Sequence, residues 1–259
     1  MVDLTAVEAA ARRLTPHLRH TPLLDACPLP GGAPGGRLFL KLENLQVTGS
    51  FKSRGAANKV LALHTQRVQQ GLVSASGGNH GLGVAFAGRL VGAPVTIYLP
   101  ANVPPAKAAK LERWGARLIW EGELWDDADR AAQEAARREG MTYIHSFADE
   151  AAGAPKIYRS LREGRLIELS SVTTAANTLA PRTSHEMNFQ IIRQRVDDVV
   201  LVTDEEMREA SRWLWFETGV AAELSGAAAL AAILAGKVSL EGVRAACAVV
   251  CGAGTDGIG

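Results

Sequence analysis

The sequence predicts an α/β protein built as a two-domain, parallel-sheet fold. Three observations carry that expectation. Between residues 72 and 144, short apolar runs alternate with amphipathic stretches, a strand–helix rhythm that implies a parallel sheet covered on both faces. The two ends of the chain hold strand-like pieces, at 37–43 and 246–250, that need each other to complete a second sheet. Glycine-rich stretches sit where strands give way to helices, and ligands of such sheets bind at the carboxyl ends of the strands. The expected division is a smaller domain, residues 48–145, inserted into a larger one made of residues 1–47 and 146–259.

The elements follow in order. Residues 5–18 read as a helix, with Val7, Ala10, Ala11 and Leu14 on one face and Arg12 and Arg13 outside. His20-Thr21-Pro22-Leu23-Leu24 is an extended edge, and residues 30–36 form a Pro/Gly loop. Arg37 to Glu43 is a strand. Lys52 opens a helix carrying Ala56, Ala57, Val60 and Leu61. Residues 72–75, 95–99, 117–120 and 142–144 are strands, with helices at about 79–90, 104–114 and 124–138 between them. Gly115 ends the second of those helices. Tyr158 to Gly164 and Phe189 to Arg195 are short helices, and residues 199–202 form a buried strand. Asp204 starts an acidic helix that runs to about Thr218. Ser225 caps a small-residue helix over 226–234, and residues 246–250 form the last strand.

Composition narrows the classes of function. Of 259 residues, 47% are hydrophobic and 21% charged, the balance of a globular chain with a sizeable core. A net charge of +1 gives no reason to expect nucleic acid or an anionic membrane as partner. No apolar run suits a signal core or a bilayer span. Three cysteines, Cys27, Cys247 and Cys251, suggest a reducing compartment, so a cytoplasmic protein is expected. Cys247 and Cys251 lack the second pair or nearby histidine of a zinc site, and no metal is expected. His17, His20, His64, His145 and His185 fit no ligand or triad spacing.

Three stretches carry chemistry. In Gly49-Ser50-Phe51-Lys52-Ser53-Arg54-Gly55 the Lys52 ammonium sits in a first helical turn, where the macrodipole disfavours a cation. Burial would lower its proton affinity further, as an amine needs for attack on an aldehyde near neutral pH. The plain alternative is a surface lysine in a Gly/Ser loop. In Ser76-Gly77-Gly78-Asn79-His80-Gly81 a strand gives way to a helix, whose N–H groups favour an anion such as a carboxylate. Asn79 can donate to a phenolate-type oxygen, or it or Ser76 simply caps the helix. In Cys251-Gly252-Ala253-Gly254 a strand-end thiol can offer a weak hydrogen bond to a ring nitrogen, or is a buried structural cysteine.

Together with His20-Thr21-Pro22-Leu23, Lys41-Leu42-Glu43-Asn44-Leu45-Gln46 and Glu223-Leu224-Ser225-Gly226-Ala227, these stretches resemble the fold type II pyridoxal-phosphate enzymes, specifically the threonine/serine dehydratase group. The fold implied is that of the tryptophan synthase β-like enzymes. The resemblance implies that Lys52 holds pyridoxal 5′-phosphate as a Schiff base, with Phe51 beside it. It also implies that Asn79 contacts the cofactor's 3′-oxygen and that Cys251 faces its ring nitrogen. Ser76, Gly77, Gly78, Asn79 and His80 would receive the substrate carboxylate. The implied reaction is β-elimination of water from L-threonine or L-serine, giving a 2-keto acid and ammonia, in a homodimer.

One departure is large. The family's Gly-rich phosphate loop has no match in residues 146–203. The sequence passes from His145-Ser146-Phe147-Ala148-Asp149-Glu150 directly to Gly153-Ala154-Pro155-Lys156-Ile157-Tyr158. On the order of 30 residues or more, a βαβ unit, are missing. Either the protein has lost them or they are omitted from the sequence; losing interior strands would expose edges and core, so an interruption of the chain near residues 150–153 is the expectation. Rival readings are a serine racemase, a β-replacing synthase, or a non-catalytic relative. Similar racemases use a serine as second acid/base where this chain has Gly77, which counts against racemisation.

Overall fold

The computed structural model describes residues 3–26, 37–144 and 154–258. The expected interruption at 150–153, the 30–36 loop, Cys27 and His145 lie outside the described residues. The chain divides into two compact units: residues 1–20 with 46–146, and residues 21–45 with 147–259.

The first unit contains α1 (Leu4–Leu14), α2 (Lys52–Leu61), α3 (Thr65–Gln69), β3 (Leu72–Ala75), α4 (Asn79–Val91), β4 (Val95–Leu99), α5 (Pro105–Arg113), β5 (Arg117–Trp120), α6 (Trp125–Glu139) and β6 (Thr142–Tyr143). The strands form one sheet in the order β5-β4-β3-β6, with every pairing parallel. Parallel strands need crossovers, and α4, α5 and α6 supply them. One face of the sheet is covered by α4 and α5 through Leu82, Phe86 and Leu111, and α2 packs on α4 through Ala57 and Val60. The other is covered by Ala128, Ala132 and Ala135 of α6 against Val73, Ala75 and Tyr98. Residues 80–88 of α4 are all buried, so this helix is enclosed on every side and reads as apolar throughout. Burying Leu82, Val84 and Phe86 is worth about 1.5–3 kcal/mol each.

The second unit contains β1 (Leu23–Asp25), β2 (Arg37–Lys41), α7 (Lys156–Glu163), α8 (Glu186–Arg195), α9 (Asp204–Thr218), α10 (Leu224–Leu234) and β7 (Ala245–Val249). Its sheet has the order β1-β2-β7, with β1 antiparallel and β7 parallel to β2. Leu38 and Leu40 of β2 pack with Met207, Ala210 and Leu214 of α9 and with Ala227, Leu230 and Ala231 of α10. The capping box of α9 is complete: the Thr203 hydroxyl accepts from the Glu206 N–H, and Glu206 accepts from the Thr203 N–H.

Two expectations are corrected here. Residues 199–202 form no strand. Val202 is buried and Val200 packs on the core, which explains the apolar run, but side chains satisfy part of the backbone. The Val199 N–H donates to Asp198 Oδ1 and Lys237 Nζ donates to the Leu201 carbonyl. Nor does Ser225 cap α10. The cap is Glu223, and the Ser225 hydroxyl, inside the first turn, donates to Glu223 Oε1 at 2.8 Å.

Candidate active site

Lys52 is the first residue of α2, as its place before Ala56, Ala57 and Val60 requires. Its side chain is half-buried, and Nζ lies 4.8 Å from the centre of the Phe51 ring, a cation–π distance. The approach to it is strained. Thr48 has φ 71° and ψ −7°, left-handed backbone that a β-branched residue rarely adopts. Ser50 and Thr48 are buried, and among the described residues neither hydroxyl has a hydrogen-bond partner. Backbone strain and buried polar atoms of this kind are features that gather at functional sites.

The turn at residues 76–78 joins β3 to α4. The cap of α4 is Gly78, with no side-chain cap, so neither Ser76 nor Asn79 caps the helix. Ser76 Oγ instead accepts from the Gly78 N–H at 3.3 Å. Fixed contacts surround this turn. The Trp125 indole N–H donates to the Ala75 carbonyl at 2.8 Å. A Cβ on Gly81 would lie 2.1 Å from the Ser76 carbonyl oxygen, so only glycine lets α4 start this close to the strand end. His80 Nε2 is 3.0 Å from the Ile144 carbonyl, which also accepts from Ser74 Oγ at 2.6 Å.

Gly83 places Lys52 and the turn together. A Cβ there would lie 2.9 Å from the Lys52 carbonyl oxygen, so α4 rests directly on the first turn of α2. Asn79 is one helical turn before Gly83 on the same face, which is about 6 Å along the axis. Asn79 and the 76–78 turn therefore flank Lys52 in the same unit.

Cys251 lies in the second unit, just past β7. Its N–H donates to the Gly226 carbonyl at 3.3 Å and Sγ is 3.5 Å from the Val249 carbonyl. A Cβ on Gly226 would lie 2.4 Å from the Gly252 carbonyl oxygen, so glycine is what lets α10 reach this strand end. Beside it Ser225 Oγ links Thr178 to Glu223 in a short polar chain. No periodicity announced Thr48, Trp125 or this chain; Thr48 in particular looks like an ordinary turn residue in sequence.

Pyridoxal phosphate fits these residues at its aldehyde side. Lys52, the glycine-permitted close approach at Gly83 and the Ser50 hydroxyl, without a partner among the described residues, lie along the same stretch of the first unit. For the phosphate, residues 154–203 offer only Gly164, the left-handed cap of α7, and no glycine-rich cradle. Among the described residues no cluster suits a metal ion, and no helix is long and apolar enough to cross a membrane.

Known proteins resemble the chain over most of its length. The L-threonine ammonia-lyase of Thermotoga maritima is 29% identical, over 95% of this chain and 74% of its own length. That alignment spans 299 positions against 259 residues here, so at least 40 of them lack a counterpart in this chain. A catabolic L-threonine dehydratase of Staphylococcus aureus is 29% identical, over 92% of this chain and 84% of its own. Among solved structures, a threonine deaminase from T.th. superposes with a TM-score of 0.87 at 28% identity, covering 97% of this chain and 98% of that one. The serine racemase of maize gives 0.89 at 25% identity, covering 97% and 93%. The family described as pyridoxal-phosphate dependent enzyme matches in two stretches, residues 14–152 and 148–252, which overlap at residues 148–152. With nearly its whole length matched, the chain belongs to the family of pyridoxal-phosphate-dependent enzymes of fold type II.

Proposed function

We propose that the protein is a threonine/serine dehydratase, an ammonia-lyase that removes water from a hydroxy amino acid to give a 2-keto acid and ammonia. The observation that carries this reading is the packing of α4 on the Lys52 backbone at Gly83, which brings the helix that follows the 76–78 turn onto the first turn of α2. The similarity to the threonine ammonia-lyase and threonine dehydratase supports the substrate class.

Each residue then has a defined task. Pyridoxal phosphate, when bound, draws electrons from the substrate's α-carbon and so acidifies its proton. Lys52 would hold the cofactor through Nζ, and its free amine would take the α-proton as general base. Phe51 lies along the lysine and shields it from water. The 76–80 turn and the N-terminus of α4 hold the substrate carboxylate, whose charge suits the positive helix end. Asn79 would supply an amide donor to the cofactor and Cys251 a thiol donor to its ring. Loss of the β-hydroxyl with the α-proton leaves an enamine that water hydrolyses to the keto acid and ammonia. Gly77 offers no second acid/base group, which favours elimination over racemisation. Proteins of this kind are expected in the cytoplasm as homodimers.

The test is ammonia release from L-threonine and L-serine by protein supplied with pyridoxal phosphate. Turnover giving 2-keto acids is expected; isomerisation of serine without keto acid would move the assignment to a racemase.

A further inference from the structure

Val103 stands between β4 and α5 and is named by none of the motifs. A Cβ on Gly77 would lie 2.5 Å from Val103 Cγ2, 2.7 Å from Cγ1 and 3.2 Å from Cβ. Both methyls thus face the middle of the turn. Valine has three staggered sites at Cβ for two methyls and one hydrogen. Two of the sites face Gly77, so every rotamer leaves at least one methyl there. The contact cannot be cleared by a side-chain rotation.

Val103 is itself held. It packs against the core formed by α4, α5 and the sheet, and its N–H donates to the Pro100 carbonyl at 3.2 Å. The turn is held as well, by Trp125 on the Ala75 carbonyl and by Gly81 beneath the Ser76 carbonyl. Gly77 is therefore wedged between two parts that do not yield.

We propose that Val103 is a positioning residue: through its contact with Gly77 it fixes the 76–78 turn, and with it the substrate-carboxylate site. This rests on the dehydratase reading for the identity of the carboxylate. The pairing also bars any side chain from the middle of the turn while Val103 stays in place. It thereby ties the type of reaction to an apolar residue outside the turn.

The test is a cycle of Gly77→Ala, Val103→Ala and the double variant, read by thermal melting of the purified protein and by KM and kcat with L-serine. Gly77→Ala should lower Tm by about 3–10 °C, the cost of overpacking a rigid site. It should raise KM about tenfold or more with kcat within about threefold, because a displaced turn loses carboxylate binding common to ground and transition states. Val103→Ala in the Gly77→Ala background should restore most of both losses, although each change alone is unfavourable. A Gly77→Ala protein with unchanged Tm, or a double variant no better than the sum of the singles, overturns the proposal. A coupled Tm with KM unchanged in Gly77→Ala overturns the link to the carboxylate. Absence of wild-type turnover would instead sink the dehydratase reading, and the Tm cycle would still decide whether Val103 positions the turn. If Gly77→Ala does not fold, the double variant decides: it must fold and turn over where the single cannot.

Discussion

Replacing Thr48 by glycine should make the protein more stable. Thr48 holds φ 71°, and left-handed backbone costs a non-glycine residue about 1–3 kcal/mol. Its hydroxyl is buried without a partner among the described residues, which costs about another 1–3 kcal/mol. Against that, glycine loses about 0.5–1 kcal/mol in chain entropy, and the missing methyl about 0.8 kcal/mol of burial. The balance is a gain of about 1–3 kcal/mol, or about 2–8 °C in Tm for a chain this size. The Lys110 ammonium donates to the Thr48 carbonyl at 3.3 Å, a backbone contact the variant keeps. Thermal melting of wild type, Thr48→Gly and Thr48→Ser separates the terms. Serine keeps the left-handed backbone and the hydroxyl and loses only the methyl, so it should show none of the gain that glycine gives. A lower Tm for Thr48→Gly would refute the reasoning, since it would mean that the strain is absent or that the side chain has an unrecognised partner. Turnover should fall in the same variant, because the tightened turn ahead of Lys52 loses its single conformation.

Other outcomes follow from the same geometry. Gly226→Ala sets a Cβ 2.4 Å from a backbone oxygen and should cost about 1–3 kcal/mol in urea melting; an unchanged midpoint would contradict the close approach of α10 to Gly252. The Glu206 carboxylate is hydrogen-bonded by Lys237, which, with the Thr203 N–H, holds it below the usual carboxylate range. A carboxyl lowered by folding stabilises above its unfolded value, and that stability is lost as pH falls through the folded value. Glu206→Gln should therefore cost about 0.2–1 kcal/mol at neutral pH and progressively less in acid, and a pH-independent difference would count against the ion pair. Trp125→Phe removes the indole donor from the Ala75 carbonyl, and should lower stability by about 1–2 kcal/mol and raise KM more than it lowers kcat.

Much of the first unit is legible in sequence because pattern and burial coincide there. Residues 95–99 are mostly apolar and become a strand buried between two helical layers, and Gly115 follows its helix in left-handed backbone as its position suggests. Lys52 is legible because an apolar period begins just after it. Residues 199–202 mislead because burial of Val200 and Val202 needs no strand ladder once side chains bond the backbone. The Ser225 cap misleads because serine favours the cap position, yet the chain turns two residues earlier, at Glu223. Contacts that arise only in three dimensions, such as Val103 on Gly77 and Trp125 on Ala75, leave no periodic trace. The strain at Thr48 is equally silent, since threonine is common in turns.

The central claim is that Lys52 carries pyridoxal phosphate for dehydration. The most direct measurement is a visible absorbance scan of the purified protein with pyridoxal phosphate, for wild type and Lys52→Ala, paired with ammonia release from L-threonine. The account predicts a visible band and turnover in the wild type, both lost in Lys52→Ala. A wild type without the band, or turnover that persists in Lys52→Ala, would contradict it.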